Sequence, residues 1–177
     1  MNTVLSISAS CITACGFSRY MLSALDMEIV LNATLAGGVA IGSSCDLLAS
    51  PAAALIIGSL AGIISAFGFL KLSPFLQKKI GLHDTCGVHN LHGIPGIMGG
   101  LIGSIAVGIS ESHYDNNKVI LEHMYPELAK GRSIEGQAMA QFGALVLTVF
   151  IACSSGALSG FIVQKIVDAP TELFDDK

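Results

Sequence analysis

The residues with the most chemistry to offer form one run, His83-Asp84-Thr85-Cys86-Gly87-Val88-His89-Asn90-Leu91-His92-Gly93-Ile94-Pro95-Gly96, which leads straight into an apolar stretch. A neutral imidazole has one donor and one acceptor, so His92, the deepest of these histidines, could orient a small hydrogen-bonding solute and exchange a proton with it. An ionisable group at membrane depth costs a few kcal/mol or more unless it is paired or faces a water-filled path, which makes such a residue a functional candidate by default. At 100° per residue the step from Asp84 to His92 turns roughly 80°, so a continuous helix would carry both on one broad face, about 12 Å apart along the axis. A carboxylate at the mouth of that face would gather cations. Gly93 and Gly96 leave the backbone beside His92 open, and Pro95 removes a helical donor and frees a carbonyl, a break tolerated where protein or a cavity re-satisfies the backbone.

Spacing alone leaves other readings open. His92 could hydrogen-bond a neighbouring helix with no part in transport. His83, Cys86, His89 and His92 recur at steps of three and offer a donor set suited to zinc or copper. Each step turns about −60°, however, so the four side chains fan over roughly half the helix circumference and do not converge unless the segment unwinds. No nucleophile–base pair or phosphate-binding loop favours an enzyme, and no cofactor is expected.

The elements that must hold this run are membrane helices. Of 177 residues, 52% are hydrophobic and 12% charged, with mean hydropathy +0.69, against about 25% charged in a soluble domain. A span needs roughly 20 apolar residues, and five segments approach this: 2–18, 29–44, 52–70, 88–109 and 138–164. The second is the weakest, thinned by Gly37, Gly38 and Gly42 and closed by Asp46. With five spans, Arg19, Lys71, Lys78, Lys79, Lys165 and Lys177 share one side, and Lys118, Lys130 and Arg132 share the other. Six basic residues against three make the first side, with the C-terminus, cytoplasmic. Scattered basic residues and a net charge of −4 give phosphates no stripe to follow, which excludes nucleic acid.

The charged, Pro- and Gly-broken segment Ser110–Gln137 reads as an outward loop with one helical turn. No basic region or small-residue cleavage site marks Met1-Asn2-Thr3 as a signal peptide, so the start reads as internal. Cys11, Cys15, Cys45, Cys86 and Cys153 read as small buried hydrophobes rather than disulfide partners. The sequon Asn32-Ala33-Thr34 lies inside an apolar segment, out of reach of glycosylation. Gly58/Gly62, Gly96/Gly100 and Gly156/Gly160 have the four-residue spacing that lets helix backbones approach closely.

The run Asp84 to Gly96 resembles the signature that opens the tenth core helix of Rhesus glycoproteins, a branch of the ammonium transporter family. Asn32-Ala33-Thr34-Leu35-Ala36-Gly37-Gly38-Val39-Ala40 is similar to that family's eighth helix, and Gly62-Ile63-Ile64-Ser65 with Ser73-Pro74-Phe75-Leu76 also fits, so the likeness extends from Asn2 to about Lys165. The resemblance implies an all-α integral membrane fold, a polytopic helix bundle comprising an incomplete second inverted repeat plus the long final helix. Residues 1–165 would form the membrane domain and 166–177 a short cytoplasmic tail of a multi-pass cell-membrane protein. It further implies that His92 is the second of twin histidines lining a hydrophobic pore that conducts ammonia after ammonium loses a proton. Asn90 and Leu91 would be pore or substrate-binding positions beside His92, with Asp84 and Asp26 acids at the inner mouth. Partners would be ammonia or ammonium, membrane lipid and, in the full-length family member, two further copies in a homotrimer. The first histidine, the outer vestibule and the aromatic gate belong to family segments not present here, so the chain reads as a fragment that folds poorly alone. The competing readings are a non-transporting membrane subunit of the same fold and, behind it, a membrane metal-binding protein.

Overall fold

In the computed structural model, which describes residues 1–48, 50–114 and 118–167, every regular element is helical. Helix α1 spans Asn2–Leu22 and α2 Met27–Ile41; α3 spans Pro51–Phe67 and passes through a π-helical turn, π1, at Gly68–Leu72 into α4, Ser73–Ile80. A second π-helical turn, π2, at His89–Gly93 opens α5, Ile94–Tyr114. Short helices α6, Lys118–Met124, and α7, Pro126–Ala129, lead to the long α8, Ile134–Ile166.

Three helical runs, Pro51–Ile80, His89–Ser110 and Ile134–Ile166, are long and apolar enough to cross a membrane, and Met27–Ile41 is a shorter apolar helix. Of the five expected spans, 52–70, 88–109 and 138–164 fall on these three runs, whereas 29–44 falls on the 15-residue α2 and 2–18 on α1, which is long but falls short in apolarity. α1 is the least apolar because it carries Ser6, Ser10 and Thr13. These side chains serve packing. Ser6 Oγ donates to the Gly37 carbonyl at 2.7 Å, Ser10 Oγ to that of Ala33, and Thr13 Oγ1 to that of Ser59 at 3.1 Å. Where no water competes, small residues and hydroxyl-to-carbonyl bonds replace the hydrophobic effect as the force between helices.

The glycines complete that contact. A Cβ on Gly58 would collide with the Ser6 backbone, and one on Gly37 or Gly62 with Ser6 or Ser10 atoms. Of the three expected glycine pairs, Gly58/Gly62 meets α1, only Gly100 of the second pair is crowded, by Leu145 of α8, and Gly156/Gly160 meets nothing within 4 Å. Three apolar clusters fill the bundle: Ala36, Ala40, Ile41, Ala54, Ile57 and Ala61 in the first, Ala14, Ile29, Ala33 and Ala66, joined by Phe17, Phe69 and Leu70, in the second, and Leu47, Ala106, Val107 and Leu121 in the third.

Asn2 Nδ2 donates to the carbonyls of Cys45 and Leu48 at 2.8 and 2.9 Å, so the start of α1 and the α2–α3 connection share one end of the bundle. The second apolar cluster gathers the end of α3 and the start of α2 at the other, where Arg19 and Lys71 also lie.

The segment Ser110–Gln137, expected as a loop, is largely helical. Pro126 starts α7, its missing N–H falling where no intrahelical bond is made, instead of breaking a helix. The side chains of Glu111, Asp115 and Lys118 in that segment, and residues 168–177 of the expected tail with Lys177, lie outside the described residues. The five cysteines form no disulfide, but none is buried as expected: Cys11, Cys15 and Cys45 are half-buried and Cys86 and Cys153 exposed.

Candidate functional site

The polar run does not form one continuous helix. Asp84–Gly87 is a turn, closed by the Gly87 N–H on the Asp84 carbonyl at 3.0 Å, and Gly87 has φ 64°. Only glycine adopts that conformation readily, and a Cβ there would also strike the Phe69 ring. Asp84 then caps the helix that follows: Oδ1 accepts from the Val88 N–H at 3.0 Å and Oδ2 from the His89 N–H at 2.8 Å. The expected shared helical face for Asp84 and His92 is therefore replaced by a cap and a turn, because Gly87 reverses the chain between them. Asp26 does the same for α2, its Oδ1 accepting from the Glu28 and Ile29 N–H groups at 3.0 and 3.1 Å while its own N–H donates to Ser18 Oγ at 3.1 Å. Both acids stand at the same end of the bundle.

Within π2 the Ile94 N–H reaches back five residues to the His89 carbonyl. In π1 the Ser73 N–H does the same to Gly68. Proline stands two residues beyond the end of each π-turn, at Pro74 and Pro95. Proline has no N–H and its ring clashes with the carbonyl four residues back, here Leu70 and Leu91; a wider turn moves that carbonyl aside.

The two turns face each other. Asn90 is fully buried, its Nδ2 donating to Ser73 Oγ at 2.6 Å, and its Oδ1 lies against Gly68, where a Cβ would collide with it. Asn90 Oδ1 and Ser65 Oγ are buried oxygens without a hydrogen-bond partner among the described residues. Leu91 is 9% exposed, packed inward beside Asn90. His92 is exposed on the other side of the turn and has no hydrogen bond among the described residues; His89 is half-buried. The structure thus separates the expected group: Asn90 and Leu91 point into the bundle, His92 points out of it, and Asp84 and Asp26 cap helices nearby.

Among the described residues no three His, Cys, Asp or Glu side chains gather around a point where a metal ion could sit. A cavity of about 360 Å³, lined by Leu121, Glu122, Leu128 and Arg132 among others, belongs to α6–α8. Nearby, Tyr125 has its phenol pushed up from its ordinary pKa by burial first and by the Asp46 carboxylate second. The Lys130 ammonium, 2.7 Å away, holds the exposed Glu127 carboxyl below the usual range.

The sequence profile of the Ammonium Transporter Family matches residues 1–175. The chain is 40% identical over 183 residues to ammonium transporter Rh type B of Bos taurus, covering 97% of this chain and 38% of that protein. It is 36% identical to ammonium transporter Rh type C of Oncorhynchus mykiss, covering 100% of this chain and 37% of that one. The structure of Nitrosomonas europaea Rh50, described with the mechanism of conduction by Rhesus-family channels, superposes with a TM-score of 0.73 at 30% identity, over 99% of this chain and 39% of that one. The chain therefore spans less than two-fifths of the length of these relatives.

Proposed function

The chain belongs to the ammonium transporter family, in its Rhesus branch, and from that premise we propose that it supplies one wall of a transmembrane pore conducting ammonia, with His92 as the pore-lining imidazole. The observation that carries this reading is the outward, unbonded His92 on a turn whose other side is buried. The opposite wall comes from a further part of a longer protein, of the kind that makes up the remaining length of the relatives.

The chemistry follows from charge. Ammonium is costly to bring into an apolar lumen, whereas ammonia is neutral and keeps hydrogen-bonding capacity. An imidazole in the wall accepts a hydrogen bond from ammonia at one nitrogen or donates one to its lone pair from the other, and offers a site for the proton that ammonium leaves behind. Asp84 and Asp26 place negative charge at one mouth, raising the local cation concentration. Arg19, Lys71, Lys78, Lys79 and Lys165 belong to that end, which supports a cytoplasmic C-terminus in the cell membrane. The family likeness supports a homotrimer of the longer protein, with lipid against the uncovered face of α8. The role is transport and not catalysis.

The test is ammonia flux into proteoliposomes of the full-length trimeric protein, followed by internal alkalinisation after an ammonium pulse. His92→Ala should lower permeability about tenfold, equivalent to about 1.4 kcal/mol of lost interaction with the permeant. Unchanged permeability would sink the pore reading and leave a non-transporting subunit of the same fold.

A further inference from the structure

We infer that Asn90 is a positioning residue for His92, and that its hydrogen bond to Ser73 braces the two π-turns so that the imidazole is aimed out of the bundle. This rests on the pore reading of His92. A π-turn holds one residue more than an α-turn, so collapsing it into an α-helix would rotate the residues on one side of it by about 100° against those on the other. The body of α5 cannot take up that rotation, because Pro95, Gly99, Ala106 and Val107 are buried against the rest of the bundle. The rotation would therefore fall on 89–92, the stretch that carries the imidazole.

A buried hydrogen bond and a glycine hold π2 open. Asn90 Nδ2 and Ser73 Oγ are 2.6 Å apart, and Ser73 is itself the residue whose N–H closes π1 on Gly68. One side-chain bond therefore joins the closing residue of one π-turn to the second residue of the other. Gly68 leaves the space that the Asn90 side chain fills. His92 follows Asn90 by two residues, about half a turn round the axis, and is exposed where Asn90 is buried, so burying the amide turns the imidazole outward. The bond is fully buried at Asn90, where a lost partner leaves a polar group unsatisfied and the turn is driven to rearrange.

The experiment uses the full-length protein in proteoliposomes, with ammonia and methylamine permeability measured side by side and trimer melting followed in detergent. Ser73→Ala, at a half-buried position that tolerates a smaller side chain, and Asn90→Leu should each lower ammonia permeability about fivefold, the fold-change of one hydrogen bond. Each should also shift the ammonia-to-methylamine ratio, which a simple loss of folded protein leaves constant. The double variant should be no worse than either single one, since both break the same bond. Ser73→Thr, which keeps the hydroxyl, should stay within about twofold of the parent. Additive losses, or a constant ratio with melting lowered in proportion to flux, would overturn the inference. Parent-like flux in Ser73→Ala and Asn90→Leu while His92→Ala is impaired would overturn this inference alone; parent-like flux in His92→Ala overturns it together with the pore reading.

Discussion

At the scale of the residue, Asp84 shows how one side chain can hold two possible roles that experiment can separate. Its carboxylate accepts two backbone N–H groups at the start of π2, a cap whose loss costs about 1–2 kcal/mol. Asp84→Ala should lower the unfolding free energy by that amount, whereas Asp84→Asn, whose single accepting oxygen keeps one of the two N–H bonds without the charge, should lose about half of it. If Asp84→Asn nevertheless conducts less at low ionic strength, the charge itself serves the mouth. Tyr125 offers a pH prediction. Its folded pKa is raised, so the stability it contributes is fully present below the ordinary tyrosine pKa and is lost as pH rises through the folded value. Phenolate absorbance should therefore appear at higher pH than for free tyrosine, and Asp46→Asn should bring it only partway back, because burial is the larger cause. The acidic residues and histidines of the site were legible in the sequence as residue types. Their partners were not, since capping depends on where the chain turns.

Helices are the scale at which the small residues matter. The segment thinned by glycines, 29–44, read as the weakest span, but the serine-bearing α1 is the less apolar helix, and its Ser6 and Ser10 are fully buried and bonded to α2 carbonyls. Ser6→Ala should cost about 0.6 kcal/mol, the size of an interhelical hydrogen bond in a membrane protein, read from reversible unfolding in detergent. Gly58→Ala should cost more, about 1–3 kcal/mol, because the new methyl meets α1 backbone, which a rotamer change cannot relieve. Gly58/Gly62 was readable as a packing pair from its four-residue spacing, but the same spacing at Gly156/Gly160 meets no neighbour. A repeat announces that close approach is allowed, without saying what approaches. The π-turns had a signal that spacing arguments pass over: a proline inside an apolar helical run, at Pro74 and again at Pro95.

For the whole molecule, the long α8 decides the most. The most apolar window of this 33-residue helix has no buried residues, and Phe142, Val146, Phe150 and Phe161 are exposed along it. α5 meets it over one stretch, where Ser104 Oγ donates to the Ala138 carbonyl at 2.8 Å, and the rest awaits lipid or protein. Expressed by itself in detergent, the chain should run as a polydisperse species by size exclusion, since outward polar groups such as His92 would face lipid unpaired. A monodisperse peak with a cooperative melt would contradict this. What the sequence by itself determined was the membrane-helical class, the family, the polar run at the start of one helix and the end-to-end distribution of basic residues, all of which depend on composition, order and local pattern. Only the tertiary structure decided that Asp84 is a cap, that Asn90 and Leu91 face inward and that His92 faces out, because a left-handed glycine and a π-turn each break the uniform 100° rotation on which every inference from spacing relies.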